Sequence, residues 1–97
     1  PHALAEVPLT GFLGHNRILS GQIDRLVILP NKILIVDFKT NRPSPLNAAD
    51  IPAIYLRQMA SYRAVISRIY RDREILCGLL WTDEPRLVLL DNLPNLA

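Results

Sequence analysis

The clearest pattern in the sequence is a pair of apolar stretches on either side of a short turn. Residues 26–29 and 32–36 are rich in Leu, Ile and Val, and Pro30 and Asn31 lie between them. Pro and Asn are typical turn residues, so the pattern predicts strand, turn and strand. A four-residue turn with Pro30 in its second position pairs the residues that flank it, and this fixes the antiparallel register of the hairpin.

A long helix is predicted after the hairpin. Its apolar positions recur at steps of four and three, which is typical of a helix with one buried stripe. They are Tyr55, Met59, Tyr62, Ile66 and Ile69. We expect Asp50 to cap this helix, Pro52 to lie in its first turn, and the helix to end near Arg71. The preceding residues 40–49 contain two prolines and two asparagines, which predicts a loop.

The other apolar segments predict strands, so the order is strand, strand, strand, helix, strand, strand. The predicted strands are residues 4–9, 17–29, 32–39, 74–81 and 86–90. A turn is expected at residues 11–16, a break in the second strand near Ser20 and Gly21, and a tight turn at residues 82–85. Both faces of the hairpin are apolar, with Ile23 expected on the face opposite Leu26. Strands buried on both faces predict an α/β domain with a mixed sheet.

Composition narrows this picture. A chain of 97 residues allows one domain, residues 1–97. Because it begins at Pro1 and is predicted to start directly with a strand, we expect it to be part of a longer polypeptide. No apolar run approaches the roughly 20 residues that span a bilayer, so no membrane segment is expected. Cys77 is the only cysteine, which excludes an internal disulfide in this segment and fits a reducing compartment.

The charge is nearly balanced, at +2, but most of the cations are arginines. Five of them crowd the predicted helix and its end: Arg57, Arg63, Arg68, Arg71 and Arg73. Arginine suits phosphate binding, whereas a solvated helix face has the same composition. Both interpretations stay open at the level of sequence.

The hairpin register brings three charged residues together. If the residues flanking the turn are paired, Asp24 lies opposite Asp37, and Lys39 lies two residues further along on the same face. Opposed side chains have Cβ atoms about 5 Å apart, where two carboxylates repel unless a cation lies between them. We therefore expect a divalent cation at Asp24 and Asp37.

Such a site has the parts needed to hydrolyse a phosphodiester. Hard divalent cations bind carboxylates, waters and often a substrate phosphate, without a complete cage of protein ligands. A lysine nearby offsets the negative charge that develops at the attacked phosphate. No glycine-rich loop followed by lysine occurs in the sequence, so ATP hydrolysis is not expected within this segment.

The segments GQIDR (residues 21–25) and IVDFKT (residues 35–40), followed by Gln58 and Tyr62, resemble the successive motifs of RecB-like nucleases in the PD-(D/E)XK superfamily. Residues 36–42 are particularly similar to the C-terminal nuclease domain of AddA-type helicase-nuclease subunits. The resemblance implies a restriction-endonuclease-like fold with a three-strand antiparallel meander, a helix and two strands. It also implies a front helix that carries a His or Glu of the metal site, and we expect this chain to begin after that helix.

The resemblance assigns roles to particular residues. Asp24 and Asp37 match the metal-binding acids, the backbone carbonyl of Phe38 matches a further metal ligand, and Lys39 matches the catalytic lysine. Gln58 and Tyr62 match residues that support the active site or contact DNA, although Tyr62 also suits core packing and Gln58 a surface position. Arg25 and Thr40, inside the matching segments, are expected in the same supporting group. The implied cofactor is Mg²⁺, with Mn²⁺ as a substitute.

The resemblance also implies a biological setting. The implied protein is a bacterial helicase-nuclease that contains this segment as an exonuclease-type DNA nuclease domain. Such a protein binds ATP elsewhere in its chain and processes double-strand ends for recombinational repair. The implied partners are DNA, the rest of the chain and a partner subunit, in the cytoplasm at the nucleoid. One alternative is a non-catalytic nuclease-like module that binds DNA or a partner subunit, and another is a surface hairpin with solvated acids.

Overall fold

Five strands and one long helix make up the structure. The computed structural model describes residues 2–12, 17–40, 48–83, 85–91 and 93–94. The strands are β1 (His2–Phe12), β2 (Ile18–Ile28), β3 (Lys32–Lys39), β4 (Glu74–Trp81) and β5 (Arg86–Leu90). A short 3₁₀ helix (Ala48–Asp50) precedes α1 (Ala53–Ile69). The predicted order is confirmed, and β3, β4 and β5 begin and end at the predicted residues.

The strands form one mixed sheet in the order β1-β2-β3-β4-β5. Neighbouring strands are antiparallel except β3 and β4, which are parallel. A parallel pair cannot be joined by a hairpin, because the chain must first return to the end of the sheet at which the first strand began. Helix α1 makes this return, and it therefore lies over one face of the sheet.

The hairpin register is the predicted one. Ile28 pairs with Ile33 and Leu26 with Ile35, and the last pair of the ladder joins Arg25 and Val36. The N–H of the residue before Pro30 donates to the carbonyl of the residue after Asn31, at 2.9 Å. The row that follows the last pair therefore contains Asp24 and Asp37.

Helix α1 crosses the sheet from β3 and β4 towards β1. Near its middle, the carbonyl of Met59 accepts a weak hydrogen bond from Cys77 of β4, at 4.0 Å. Further along the helix, Val65 lies against Gly11 of β1. The core between helix and sheet contains almost completely buried side chains, which include Ile23, Ile33, Ile35, Met59, Leu79 and Trp81. These residues hold the helix in place above the charged residues of β3.

The start and the end of α1 differ from the prediction. Pro52 is the N-cap and makes no side-chain capping hydrogen bond, while Asp50 belongs to the 3₁₀ helix, so the predicted cap is wrong. The helix ends at Ile69, whose side chain is 61% exposed although it belongs to the predicted stripe. Val65 is buried instead. Periodicity gives the direction of a side chain around the helix, but burial also requires a strand beneath it.

The pairing of β2 with β1 is interrupted at Asp24, and β2 has no break at Ser20. The pairing of β1 with β2 stops at Glu6 and Asp24 and resumes at Val7 and Ile23, and Glu6 has a positive φ of 56°. As a consequence Ile23 and Leu26 both lie in the core cluster, although residues three apart in a regular strand face opposite sides. The prediction that Ile23 lies on the other face is therefore wrong, because the interruption shifts the alternation.

Only one face of the sheet is covered in the part of the chain that the structure describes. On the other face Phe38, Leu87 and Leu89 are 40%, 46% and 55% exposed. The apolar residues on both faces of the hairpin predicted a sheet that is covered on both sides. In the described residues the second side is exposed. No helix in the described ranges is long and apolar enough to cross a membrane. The predicted turn and loop fall largely on residues 13–16 and 41–47, which lie outside the described residues.

Two isoleucines of α1 test this packing. Ile66→Ala should lower the free energy of unfolding by about 2–5 kcal/mol, because Ile66 is buried in the core. The matched control Ile69→Ala should change it by about 0.5 kcal/mol or less, since Ile69 is exposed. Urea unfolding followed by circular dichroism measures both. Equal losses in the two variants would contradict the observed end of the buried stripe.

Candidate active site

Asp24 takes part in the sheet through its side chain. Two residues beyond Val36, which belongs to the last pair of the hairpin, the backbone N–H of Phe38 donates to Asp24 Oδ2 at 2.8 Å. This hydrogen bond fixes the carboxylate at the point where regular pairing of β2 with β3 stops. The interruption of β2 therefore positions the first of the two predicted acids.

Asp37 and Lys39 form a close ion pair on one face of β3. The Lys39 Nζ lies 2.5 Å from Asp37 Oδ2, and the two side chains are only 13% and 10% exposed. Residues two apart on a strand share a face, so this contact follows directly from the β3 conformation. The pair is largely shielded from water, which makes its interaction stronger than that of an exposed pair.

The two acids interact directly. Burial, and then a side-chain hydrogen bond with Asp24, raise the pKa of Asp37 above the ordinary aspartate value of 3.8. The hydrogen bond and the charge of Lys39 act in the opposite direction, and the charge of Asp24 adds a smaller increase. The rise shows that one lysine does not offset the cost of two neighbouring carboxylates in this position. A cation bound between them would remove that cost.

Lys39 is held at two further points. Its ammonium lies over the ring of Tyr55, 3.9 Å from the ring centroid. Its backbone carbonyl accepts hydrogen bonds from the N–H and the hydroxyl of Thr82, at 3.0 and 3.3 Å. Thr82 directly follows β4, and Tyr55 belongs to the first turn of α1. Helix and neighbouring strand therefore both support the lysine.

Gln58 and Tyr62 support β2 next to Asp24. Gln58 Nε2 donates to the Tyr62 hydroxyl, which donates in turn to the carbonyl of Gln22, both at 3.3 Å. Gln22 lies two residues before Asp24. A Cβ added to Gly21 would lie 2.9 Å from the Tyr62 hydroxyl oxygen, so glycine is required for this close approach. Tyr62 is buried, and Gln58 is exposed.

The other predicted supporting residues are not brought into the site. Arg25 and Thr40 are exposed, and no hydrogen bond or ion pair joins either of them to another described residue of the site. Most of the crowded arginines are engaged within the chain. Arg63 and Arg68 donate to the carbonyls of Pro94 and Phe12, respectively. These contacts favour a structural role for them over free phosphate binding.

The donor set fits one hard divalent cation. Two carboxylates interact across adjacent strands, and burial, followed by the hydrogen bond with Asp24, raises the pKa of Asp37. Among the described residues, no group of three or more His, Cys, Asp and Glu side chains is placed to hold a metal. The two acids would therefore share the ion with waters, a backbone carbonyl or a substrate phosphate, which is usual for Mg²⁺. The role of the Phe38 carbonyl stays a prediction.

Comparison with known proteins shows the family of this chain. The family model of the PD-(D/E)XK nuclease superfamily matches residues 2–87. The chain belongs to this superfamily. The superfamily consists of nucleases, which generally use divalent metal ions.

The fold of this PD-(D/E)XK domain also occurs in a solved structure. The crystal structure of SSO0001 is similar with a TM-score of 0.58 and 15% sequence identity. The match covers 97% of this chain and 44% of that chain. The chain thus spans less than half the length of SSO0001, and the similarity concerns the fold. No protein in the curated set matches the chain.

Two supports of the PD-(D/E)XK site were not identified from the sequence. Tyr55 was predicted only as a member of the buried stripe, and Thr82 only as part of a turn. The signal for Tyr55 is its place in the first turn of the helix that follows β3. No local pattern distinguishes Thr82, because its contact with Lys39 joins residues 43 positions apart.

The contact between Gly21 and Tyr62 can be tested by exchanging volume. Gly21→Ala should lower the free energy of unfolding by about 1–3 kcal/mol, because its methyl group overlaps the Tyr62 hydroxyl. In the Tyr62→Phe background the same change should cost less, with a coupling energy of about 0.5–3 kcal/mol. Denaturant unfolding of the four proteins measures this. Additive losses would show that the two residues do not touch.

The raised pKa of Asp37 predicts a pH-dependent stability without metal. The folded protein holds a proton on Asp37 at pH values where the unfolded chain has lost it, so this contribution is complete below the ordinary value of 3.8. It is lost as the pH rises through the raised pKa. The free energy of unfolding in EDTA should therefore fall across this window, and Asp37→Asn should remove that part of the fall.

Urea unfolding at a series of pH values measures this change. Asp72→Asn is the control, because Asp72 is an exposed acid away from the pair. Its pH profile should match the wild type. An Asp37→Asn profile that also matched the wild type would contradict the pKa of Asp37 described above.

Proposed function

We propose that the chain is a Mg²⁺-dependent DNA nuclease domain that hydrolyses phosphodiester bonds. The observation that supports this most directly is the contact between Asp24, Asp37 and Lys39 in a PD-(D/E)XK domain. Three charged side chains that lie together and are partly shielded from water are costly for stability without a ligand. A function at this position gives a reason for that cost.

Each residue has a separate part in the proposed reaction. Asp24 and Asp37 bind the cation, together with the Phe38 carbonyl. A divalent cation in this position lowers the pKa of a bound water and polarises the phosphoryl group. Lys39 keeps a positive charge beside the attacked phosphate, where negative charge develops in the transition state. Gln58 and Tyr62 hold β2, and thus Asp24, at the distance that this arrangement needs.

We further propose that the domain belongs to a bacterial helicase-nuclease of the RecB-like class and corresponds to the nuclease domain of an AddA-type subunit. The support is the similarity of residues 21–25 and 35–42 to that class. In this proposal the enzyme is an exonuclease that processes double-strand ends for recombinational repair at the nucleoid. The remainder of its chain supplies the ATP-dependent helicase, and a partner subunit completes the complex.

The nuclease proposal is tested by substitutions in the full-length protein. Asp37→Asn and Lys39→Met should each reduce cleavage of linear DNA by at least about 100-fold, since each removes a charge from the reacting centre. Degradation of end-labelled single- and double-stranded DNA in Mg²⁺, Mn²⁺ and EDTA provides the measurement. Unwinding driven by ATP should continue in both variants.

Two controls change residues of the same types away from the site. Lys32→Met changes the other lysine of β3, and Asp72→Asn changes an exposed acid, and both should cleave like the wild type. Calorimetry should show Mg²⁺ binding to the wild type and a much weaker signal with Asp37→Asn. Cation-dependent cleavage that persists in Asp37→Asn and Lys39→Met would reject the assignment. A protein that binds DNA but neither binds cations nor cuts would be the non-catalytic module.

A further inference from the structure

We propose that Tyr55 is the positioning residue for Lys39, and that its ring holds the lysine ammonium at the reacting centre when Asp37 binds a cation. This proposal rests on the nuclease function proposed above. It concerns a residue in the first turn of α1 that the sequence motifs of the site do not include. Its mode of action is a cation–π contact.

The geometry of this contact is close. The Lys39 Nζ lies 3.9 Å from the centroid of the Tyr55 ring, well inside the roughly 6 Å within which a ring attracts a cation. The side chain of Lys39 is only 13% exposed, so little water competes for its charge. Among the described residues, the ammonium contacts both the Asp37 carboxylate and the aromatic face of Tyr55.

The backbone of Tyr55 and that of Lys39 are both held by hydrogen bonds. The N–H of Tyr55 donates to the carbonyl of Pro52 at 3.0 Å, and Ile51, just before Pro52, is buried in the core. On the other side, Thr82 holds the carbonyl of Lys39. Neither the ring nor the lysine has to be ordered at the moment of reaction. Preorganisation of this kind is what makes a charged group effective in a transition state.

The need for the ring follows from the double use of Asp37. Without a ligand, Asp37 Oδ2 is the nearest negative atom to Lys39. When the Asp37 carboxylate binds a divalent cation, less of its negative charge is available to the Lys39 ammonium. The bound cation also repels that ammonium. The face of Tyr55 carries a negative potential that the cation does not occupy. It keeps Lys39 beside the phosphate in the loaded state.

A purely structural role for Tyr55 leads to different expectations. Tyr55 is half-buried and packs against the core cluster, so its removal could act through stability alone. In that case the loss of activity would not depend on Lys39. A positioning role requires that the effect of Tyr55 disappear when Lys39 is absent.

The first experiment measures the contact without any cleavage. The chain has two lysines, Lys32 and Lys39, and both lie in β3. In lysine-labelled protein, the ε-methylene NMR signal of Lys39 should lie upfield of the Lys32 signal, because of the Tyr55 ring current, in EDTA and with Mg²⁺. Lys39→Arg assigns the signal in the full-length protein. The shift should persist in Tyr55→Phe and vanish in Tyr55→Leu.

The second experiment measures the consequence for DNA cleavage. Tyr55→Leu should lower kcat roughly 2- to 30-fold with little change in KM, which is the range expected for one cation–π contact made in the transition state. Tyr55→Phe should retain most of the rate. In the Lys39→Met background, Tyr55→Leu should have no further effect. Tyr70→Leu, the same exchange at the other end of α1, should leave the rate unchanged.

The outcomes separate this proposal from the one on which it rests. A wild-type protein that does not cleave DNA would reject the nuclease function, while the NMR shift would still decide whether the ring holds Lys39. A Lys39 signal that coincides with Lys32, or that loses its upfield shift when Mg²⁺ binds, would overturn the positioning role. So would equal losses from Tyr55→Leu with and without Lys39.

Discussion

The antiparallel register between β2 and β3 is the constraint on which the site depends. It places Asp24 and Asp37 in neighbouring positions across two strands, and it does so at the row where regular backbone pairing stops. The N–H of Phe38, which would otherwise need a backbone partner, binds the Asp24 carboxylate instead. A shift of one residue in this register would move every side chain of one strand to the other face and separate the acids.

The charges of the site are balanced unevenly. Asp37 has Lys39 beside it at 2.5 Å, yet burial and the second carboxylate still raise its pKa. The local structure thus carries an unfavourable interaction that a divalent cation would relieve. Natural proteins place such costs at functional positions and offset them in the surrounding core, which here contains almost completely buried residues of β3, β4 and α1.

Helix α1 contacts both strands that carry the charged residues of the site. Tyr55 reaches Lys39 of β3, and Tyr62, two turns later, reaches the backbone of β2 beside Asp24. The two strands that carry the acids are therefore held by one helix as well as by their own ladder. A crossover connection in this position is a topological necessity, because β3 and β4 are parallel, and such a connection is usually a helix. The fold thus uses a required connection to support the charged residues.

The amino-acid sequence by itself determined the order of the elements, the bounds of β3, β4 and β5, and the pairing of the central hairpin. These follow from local signals: apolar runs, turn residues and the alternation of side chains along a strand. The sequence also placed Asp37 and Lys39 on one face, because residues two apart on a single strand share a face.

Tertiary structure alone decided what depends on distant segments. It exposed Ile69, moved Ile23 into the same core as Leu26, left Asp50 outside the helix cap, and brought Tyr55 and Thr82 to Lys39. None of these has a local signal, since each depends on whether a strand, a helix turn or a hydrogen-bonding group from elsewhere in the chain lies opposite. Periodicity specifies the direction of a side chain, whereas its neighbour is specified only by the packed fold.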